Sequence, residues 1–145
     1  MTAQTPIIAA KAPKPVGAYP HARRVGNLLF LSGVGPRDPQ TNAIIGNVYD
    51  AAGTLLSYDI EAQCRATFAN VRAILEASGA RWQDLVDVTV FLTDMAHDFA
   101  AYNRVYAEYF ADVQPCRTTL GITALPTPIA IELKCIAAFA ADATG

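Results

Sequence analysis

Ile60, Cys64, Phe68, Val71 and Leu75 recur at steps of four, four, three and four residues, the spacing that lines one face of an α-helix. Asp59 stands where an N-cap belongs and Gly79 where a left-handed terminator belongs, so a helix with one buried face is predicted from 59 to about 78. The period then changes. Val86, Val88, Val90 and Leu92 alternate with Asp87, Thr89, Phe91 and Thr93, which is strand periodicity. Phe99, Tyr102, Tyr106 and Phe110 return to steps of three and four and predict a second helix, capped by Asp98. Upstream, residues 22–25 and 28–32 flank Gly26-Asn27, a turn pair suited to a hairpin. Downstream, Leu125-Pro-Thr-Pro128 separates two closing strands, 117–122 and 129–139. Residues 1–14 read as an extended lead-in, and 33–57, rich in Gly, Pro, Asp and Asn, as a long irregular connection that covers or lines something.

The order strand, strand, helix, strand, helix, strand, strand implies an α+β fold: one domain over 1–145, with a mixed sheet carrying both helices on one face. The last strand describes the other face. Ile129, Ile131, Leu133, Cys135 and Ala137 fall on one side, and Ala130, Glu132, Lys134, Ile136 and Ala138 on the other. That second side mixes charge with apolar groups, as an interface with a polar site inside it would.

Composition narrows the class. Apolar residues make up 52% and charged residues 17%, and 11 Lys+Arg against 13 Asp+Glu leave a formal charge of −2. This argues against disorder and against a protein that coats nucleic acid, which would carry a cationic excess. So much apolar surface on a small domain argues for self-association. Cys64, Cys116 and Cys135 are odd in number and widely spaced, so neither a disulfide framework nor a zinc site is expected. No signal peptide or membrane-length apolar run is recognisable, and a cytoplasmic protein with no membrane partner is expected.

Few standard motifs are present. Gly33-Val-Gly35-Pro lacks the third glycine and the helix start of a dinucleotide fingerprint. His21 and His97 lack metal-ligand spacing, so no metal is expected, and His97 reads as a solvated loop residue. Glu132 is the most anomalous position: a carboxylate in an apolar strand is costly unless it is paired or wet, so it is either an interface salt bridge or a working group in a cleft. Arg117, at the start of a strand, is either a rim residue or a guanidinium projecting into a cleft to hold a carboxylate. Cys116 has no base at a recognisable spacing. Tyr19, Ser32 and Asn103 are polar groups on otherwise apolar elements, each with an ordinary structural role open to it.

Taken together and in order, Gly17-Ala-Tyr19, Gly26-Asn27-Leu-Leu-Phe-Leu-Ser32-Gly33, Val90-Phe-Leu-Thr-Asp94-Met95, Asn103-Arg-Val-Tyr106, Pro115-Cys-Arg117-Thr118 and Ile131-Glu132-Leu133 resemble the RidA family of enamine/imine deaminases. The resemblance implies a chorismate-mutase-like fold, a homotrimer and a site in each cleft between subunits. It also implies that Arg117 binds the substrate carboxylate, that Glu132 positions a water, and that Tyr19, Ser32 and Asn103 line the pocket. Tyr19-Pro20-His21, Gly33-Val-Gly-Pro-Arg37 and Glu132-Leu-Lys134 depart from the commoner family pattern and look more like the 2-aminomuconate deaminases of aromatic-ring degradation. The expected reaction is then 2-aminomuconate to 4-oxalocrotonate plus ammonia, with His21 and Arg37 holding the second carboxylate. No cofactor is required, because an imine is already its own electron sink. The alternatives are a general 2-imino acid deaminase, or a trimeric small-acid-binding or chaperone-like module without turnover. A nuclease would want a cationic groove, and beyond Arg23-Arg24 there is no basic cluster.

Overall fold

The computed structural model describes residues 4–140. A six-stranded sheet runs in the order β1 (Gln4–Ile7), β2 (Ala22–Val25), β3 (Leu28–Leu31), β8 (Ile131–Ala138), β6 (Leu85–Leu92), β7 (Cys116–Gly121). Each pairing is antiparallel except β6 with β7. That parallel pair needs a crossover, and α2 (Met95–Phe110) supplies it. Between β3 and α1 (Ile60–Ala77) lies a separate two-stranded sheet, β4 (Asn47–Tyr49) with β5 (Leu55–Tyr58). The class is α+β with a mixed sheet, as the pattern of elements predicts.

Both helices cover one face. Leu29, Leu31, Val88, Val90, Leu92, Ile131, Leu133 and Cys135 are buried there together with Phe68, Val71 and Leu75 of α1 and Tyr102, Val105 and Phe110 of α2. Phe68 meets Phe110 edge to face, with centroids 5.2 Å apart. The first helix forms as its pattern dictates: Asp59 accepts the Ala62 N–H at 3.1 Å, and Gly79 takes φ +79° just past the end. Burial pushes the thiols of Cys64 and Cys135 up to about 12, so both are unreactive core groups.

Four details correct the sequence expectations. The cap of α2 is Asp94, which accepts the His97 N–H at 3.2 Å; Asp98 sits inside the first turn, buried, and accepts from the Tyr58 hydroxyl at 2.6 Å. Its apolar stripe begins only at Phe99, which hid the first turn. His97 is accordingly a helix residue, ion-paired with Asp94 at 2.9 Å, and not a loop residue. Part of the lead-in is strand β1, pairing with β2 through Gln4 to Ile7; residues 1–3 lie outside the described residues. Finally, the register of β6 slips between Leu85 and Asp87, so Leu85 takes the buried place assigned to Val86, and Val86 is exposed. Among the described residues, no helix is long and apolar enough to cross a membrane.

Candidate active site

Beyond β3 the chain continues alongside β8: Val34 and Leu133 exchange backbone hydrogen bonds of 2.8 and 2.9 Å. This sets Gly33 against Glu132. A Cβ at Gly33 would lie 2.0 Å from Oε1 of Glu132, so only a residue without a side chain lets the carboxylate occupy that place. The half-buried Glu132 carboxylate has no hydrogen-bond or ion-pair partner among the described residues, and burial alone pushes its pKa up. It opens into a cleft of about 380 Å³ lined by Tyr19, Ser32, Gly35, Arg37, Thr127 and Ile129 among others.

The polar groups around this cleft are held in place locally. Ser32 donates to the Pro20 carbonyl at 2.7 Å, and the Tyr19 hydroxyl accepts the Val16 N–H at 3.2 Å. Arg37 donates to the Lys14 carbonyl at 2.7 Å and to Oδ1 of Asn42, a residue in the left-handed region at φ 65°. Asp38 builds that turn by accepting the N–H groups of Gln40 and Thr41 at 2.8 and 2.9 Å, and these bonds hold its carboxyl below the usual range.

His21 is the exception among the sequence candidates. It lines a small side pocket of about 30 Å³ that shares Tyr19, Ser32, Gly33 and Gly35 with the main cleft. However, its ring is 6% exposed and both nitrogens are engaged: Nδ1 accepts the Ala9 N–H at 2.8 Å and Nε2 faces the Pro13 carbonyl at 2.6 Å. Those bonds select the Nε2–H tautomer and leave no N–H for a substrate anion. His21 ties down the lead-in and is not free for the second-anion role expected of it.

Arg117 and Asn103 lie elsewhere. Arg117 stands opposite Val88 in the β6–β7 ladder, and Val88 is opposite the buried Cys135 in β8, so the Arg117 side chain belongs to the helix-covered face at the sheet's edge. There it donates to Oδ1 of Asn103 at 2.8 Å and lies over the rings of Tyr106 and Tyr102, 4.7 and 5.5 Å from their centroids. The Tyr102 hydroxyl bonds Thr119 at 3.0 Å, while that of Tyr106 is buried without a partner among the described residues. Glu132 stands opposite Phe91 and belongs to the uncovered face. A single chain therefore carries two groups of candidate residues on opposite faces of the sheet, one with Tyr19, Ser32, Arg37 and Glu132 and one with Asn103 and Arg117. Cys116, exposed, opens β7 on the same face as Glu132. No cluster of three or more His, Cys, Asp or Glu suited to a metal occurs among the described residues.

Pattern reasoning found Glu132 but missed Gly33 as its partner, and missed the two buried amides of α1, Gln63 and Asn70. Gln63, Thr67, Asn70 and Ile74 repeat at helical steps beside the apolar stripe, which was the available signal.

Two helices covering one face of a mixed sheet, with a carboxylate at a cleft, make this an α+β protein of a defined fold class. The chain belongs to the Endoribonuclease L-PSP family, whose model matches residues 9–139. It is 40% identical over 131 residues to a RutC family protein of Pyrococcus abyssi, covering 90% of this chain and 94% of that one. It is 39% identical over 127 residues to Reactive Intermediate Deaminase A, chloroplastic, of Arabidopsis thaliana, covering 88% of this chain and 62% of that one. Among solved structures, E. coli TdcF with bound serine superposes with a TM-score of 0.79 at 31% identity, covering 92% of this chain and 98% of that one. RidA from the Antarctic bacterium Psychrobacter sp. PAMC 21119 gives 0.80 at 32% identity, covering 93% and 99%.

Proposed function

We propose that the protein is a cofactor-independent hydrolytic deaminase of enamine or imine acids, acting as a homotrimer in which the Glu132 cleft of one subunit adjoins Arg117 of the partner subunit. The observation that carries this reading is the Glu132 carboxylate, held against bare Gly33 at the wall of a 380 Å³ cleft with no partner of its own among the described residues. A purely structural carboxylate would be paired; one that must take hold of water is left free. The relative named Reactive Intermediate Deaminase A and the serine bound in TdcF support the same chemistry, since serine carries a carboxylate beside its nitrogen-bearing carbon.

In the proposed reaction the 2-amino-diene acid takes a proton at carbon and becomes an imine. Arg117 fixes the adjacent carboxylate through a charge-assisted pair of hydrogen bonds. Glu132 orients water and accepts its proton as oxygen attacks the imine carbon, and returns that proton as the carbinolamine collapses. The C–N bond breaks, ammonia leaves and a 2-oxo acid remains. The raised pKa of Glu132 brings it nearer to the working pH of a base. The finer assignment is 2-aminomuconate, a dicarboxylate whose far carboxylate would meet Arg37 across the cleft.

The test is ammonia release from 2-aminomuconate and from 2-iminobutanoate, each generated enzymatically. Wild type should favour the dicarboxylate. Arg117→Ala should lose about 30- to 1,000-fold on both substrates, equivalent to roughly 2–4 kcal/mol of transition-state binding. Arg37→Ala should lose selectively on the dicarboxylate. A wild-type preference for the monocarboxylate would make the protein a general imine deaminase, and no ammonia from either substrate would favour a binding module.

A further inference from the structure

The two walls of the Glu132 cleft are loops, yet both are fastened to one rigid element. Gln63 and Asn70 lie two turns apart on the same face of α1 and are 0% and 3% exposed. Asn70 donates through Nδ2 to two carbonyls at once, Gly35 at 2.9 Å and Arg37 at 2.8 Å, and so pins the wall that presents Arg37. Gln63 works on the opposite wall. Its Oε1 accepts the Ala130 N–H at 2.9 Å, and its Nε2 donates to Oδ1 of Asn47 at 2.8 Å, whose own Nδ2 donates to the Pro128 carbonyl at 2.8 Å. The segment 128–130, which leads directly into Ile131-Glu132, is thereby held at two points. The walls also touch: a Cβ added at Gly35 would lie 2.8 Å from Cδ1 of Ile129, so neither wall can move inward independently.

We infer that Gln63 and Asn70 are positioning residues that set the width of the cleft, Asn70 governing the reach of Arg37 toward the far end of an elongated diacid and Gln63 the placement of Glu132. The inference rests on the reading of this cleft as a carboxylic-acid site. Neither side chain lines the cleft; each acts through the loop groups it bonds. Buried amides that hold loop groups in this way are where a change of one atom has large local consequences, because the released carbonyl loses its donor.

Two near-isosteric variants separate the roles. Asn70→Asp replaces the two-hydrogen Nδ2 donor by an oxygen facing two carbonyl oxygens. It should raise KM for 2-aminomuconate tenfold or more while leaving kcat, and both constants for 2-iminobutanoate, within twofold. Gln63→Glu keeps the acceptor for Ala130 but turns an oxygen toward Oδ1 of Asn47, uncoupling Pro128. It should lower kcat tenfold or more on both substrates with KM little changed. If either variant fails to fold, Asn70→Ser replaces the amide donor by a shorter one that reaches neither carbonyl, and Asn47→Asp removes the Nδ2 donor to Pro128 directly; each is read in the same way as the variant it stands in for. Calorimetric binding of 2-oxohexanedioate and 2-oxobutanoate gives a readout independent of turnover, in which Asn70→Asp should weaken only the diacid. Identical losses in kcat and KM for both variants, or no loss in folded protein, would overturn the inference. A wild-type protein that binds these acids but releases no ammonia would instead overturn the deaminase reading and leave the binding comparison to decide the positioning roles.

Discussion

Gly33 and Glu132 form a unit in which one residue matters for what it lacks. Gly33→Ala should leave the core untouched but force the carboxylate off its position, and we expect turnover to fall at least a hundredfold with far-ultraviolet circular dichroism unchanged; retained activity would show that the carboxylate has room to relocate. Glu132 also ties function to stability. Its pKa is raised in the folded chain by burial, so the ionised form opposes folding: the fold is favoured below the unfolded glutamate pKa, and that advantage is lost as the pH rises through the folded one. Glu132→Gln should therefore melt higher than wild type at pH 8, match it near pH 4, and have lost most turnover while still binding the acid. An equal difference at both pH values would mean that the carboxylate's charge is not what burial penalises. Glu132 was legible in the sequence because a charge broke an apolar strand. Gly33 was not, since a glycine after a strand suits many turns and only the return of the chain beside β8 shows which close approach it serves.

The α1 helix serves two purposes at once. Its apolar stripe packs the core, and a parallel stripe of Gln63, Thr67 and Asn70 is buried against loops. Gln63 and Asn70 are satisfied, but the Thr67 hydroxyl between them has no partner among the described residues. Thr67→Val, which swaps that hydroxyl for a methyl, should stabilise the protein by about 1 kcal/mol in denaturant titration without altering kinetics; destabilisation would reveal a hydrogen bond made in solution. The existence, ends and apolar face of this helix were readable from periodicity and caps. Its polar stripe was not, because polar residues become buried only when distant loops fold over them, which local spacing does not record. The same limit explains other elements. Strand β1 is four residues long, contains Pro6 and exists through pairing with β2, while β4 and β5 are short pieces inside a segment dominated by turn residues. Asp94 and Asp98 both suit a cap, and what separates them is the Tyr58 hydroxyl reaching Asp98 from β5.

At the scale of the whole molecule, the bare sheet face carries Phe30, Phe91 and Ile136 beside Glu132 and Lys134, a surface suited to burial against copies of the chain. Composition argues for self-association, and the family resemblance implies a site shared between subunits. Neither could say that Arg117 and Glu132 project from opposite faces of one sheet, a consequence of β7 pairing in parallel on the far side of β6. On the proposed function, the working site joins Glu132 of one subunit to Arg117 of the partner subunit. Its most direct test is complementation, with Arg117→Ala and Glu132→Gln chains expressed separately and together and ammonia release measured on assemblies of about three times 15.5 kDa. Each variant alone should be nearly inactive, whereas random mixed trimers place both intact residues in on the order of a quarter of the sites and should recover about that fraction of wild-type turnover. Mixed assemblies as inactive as either parent, beside an active wild type, would contradict a shared site.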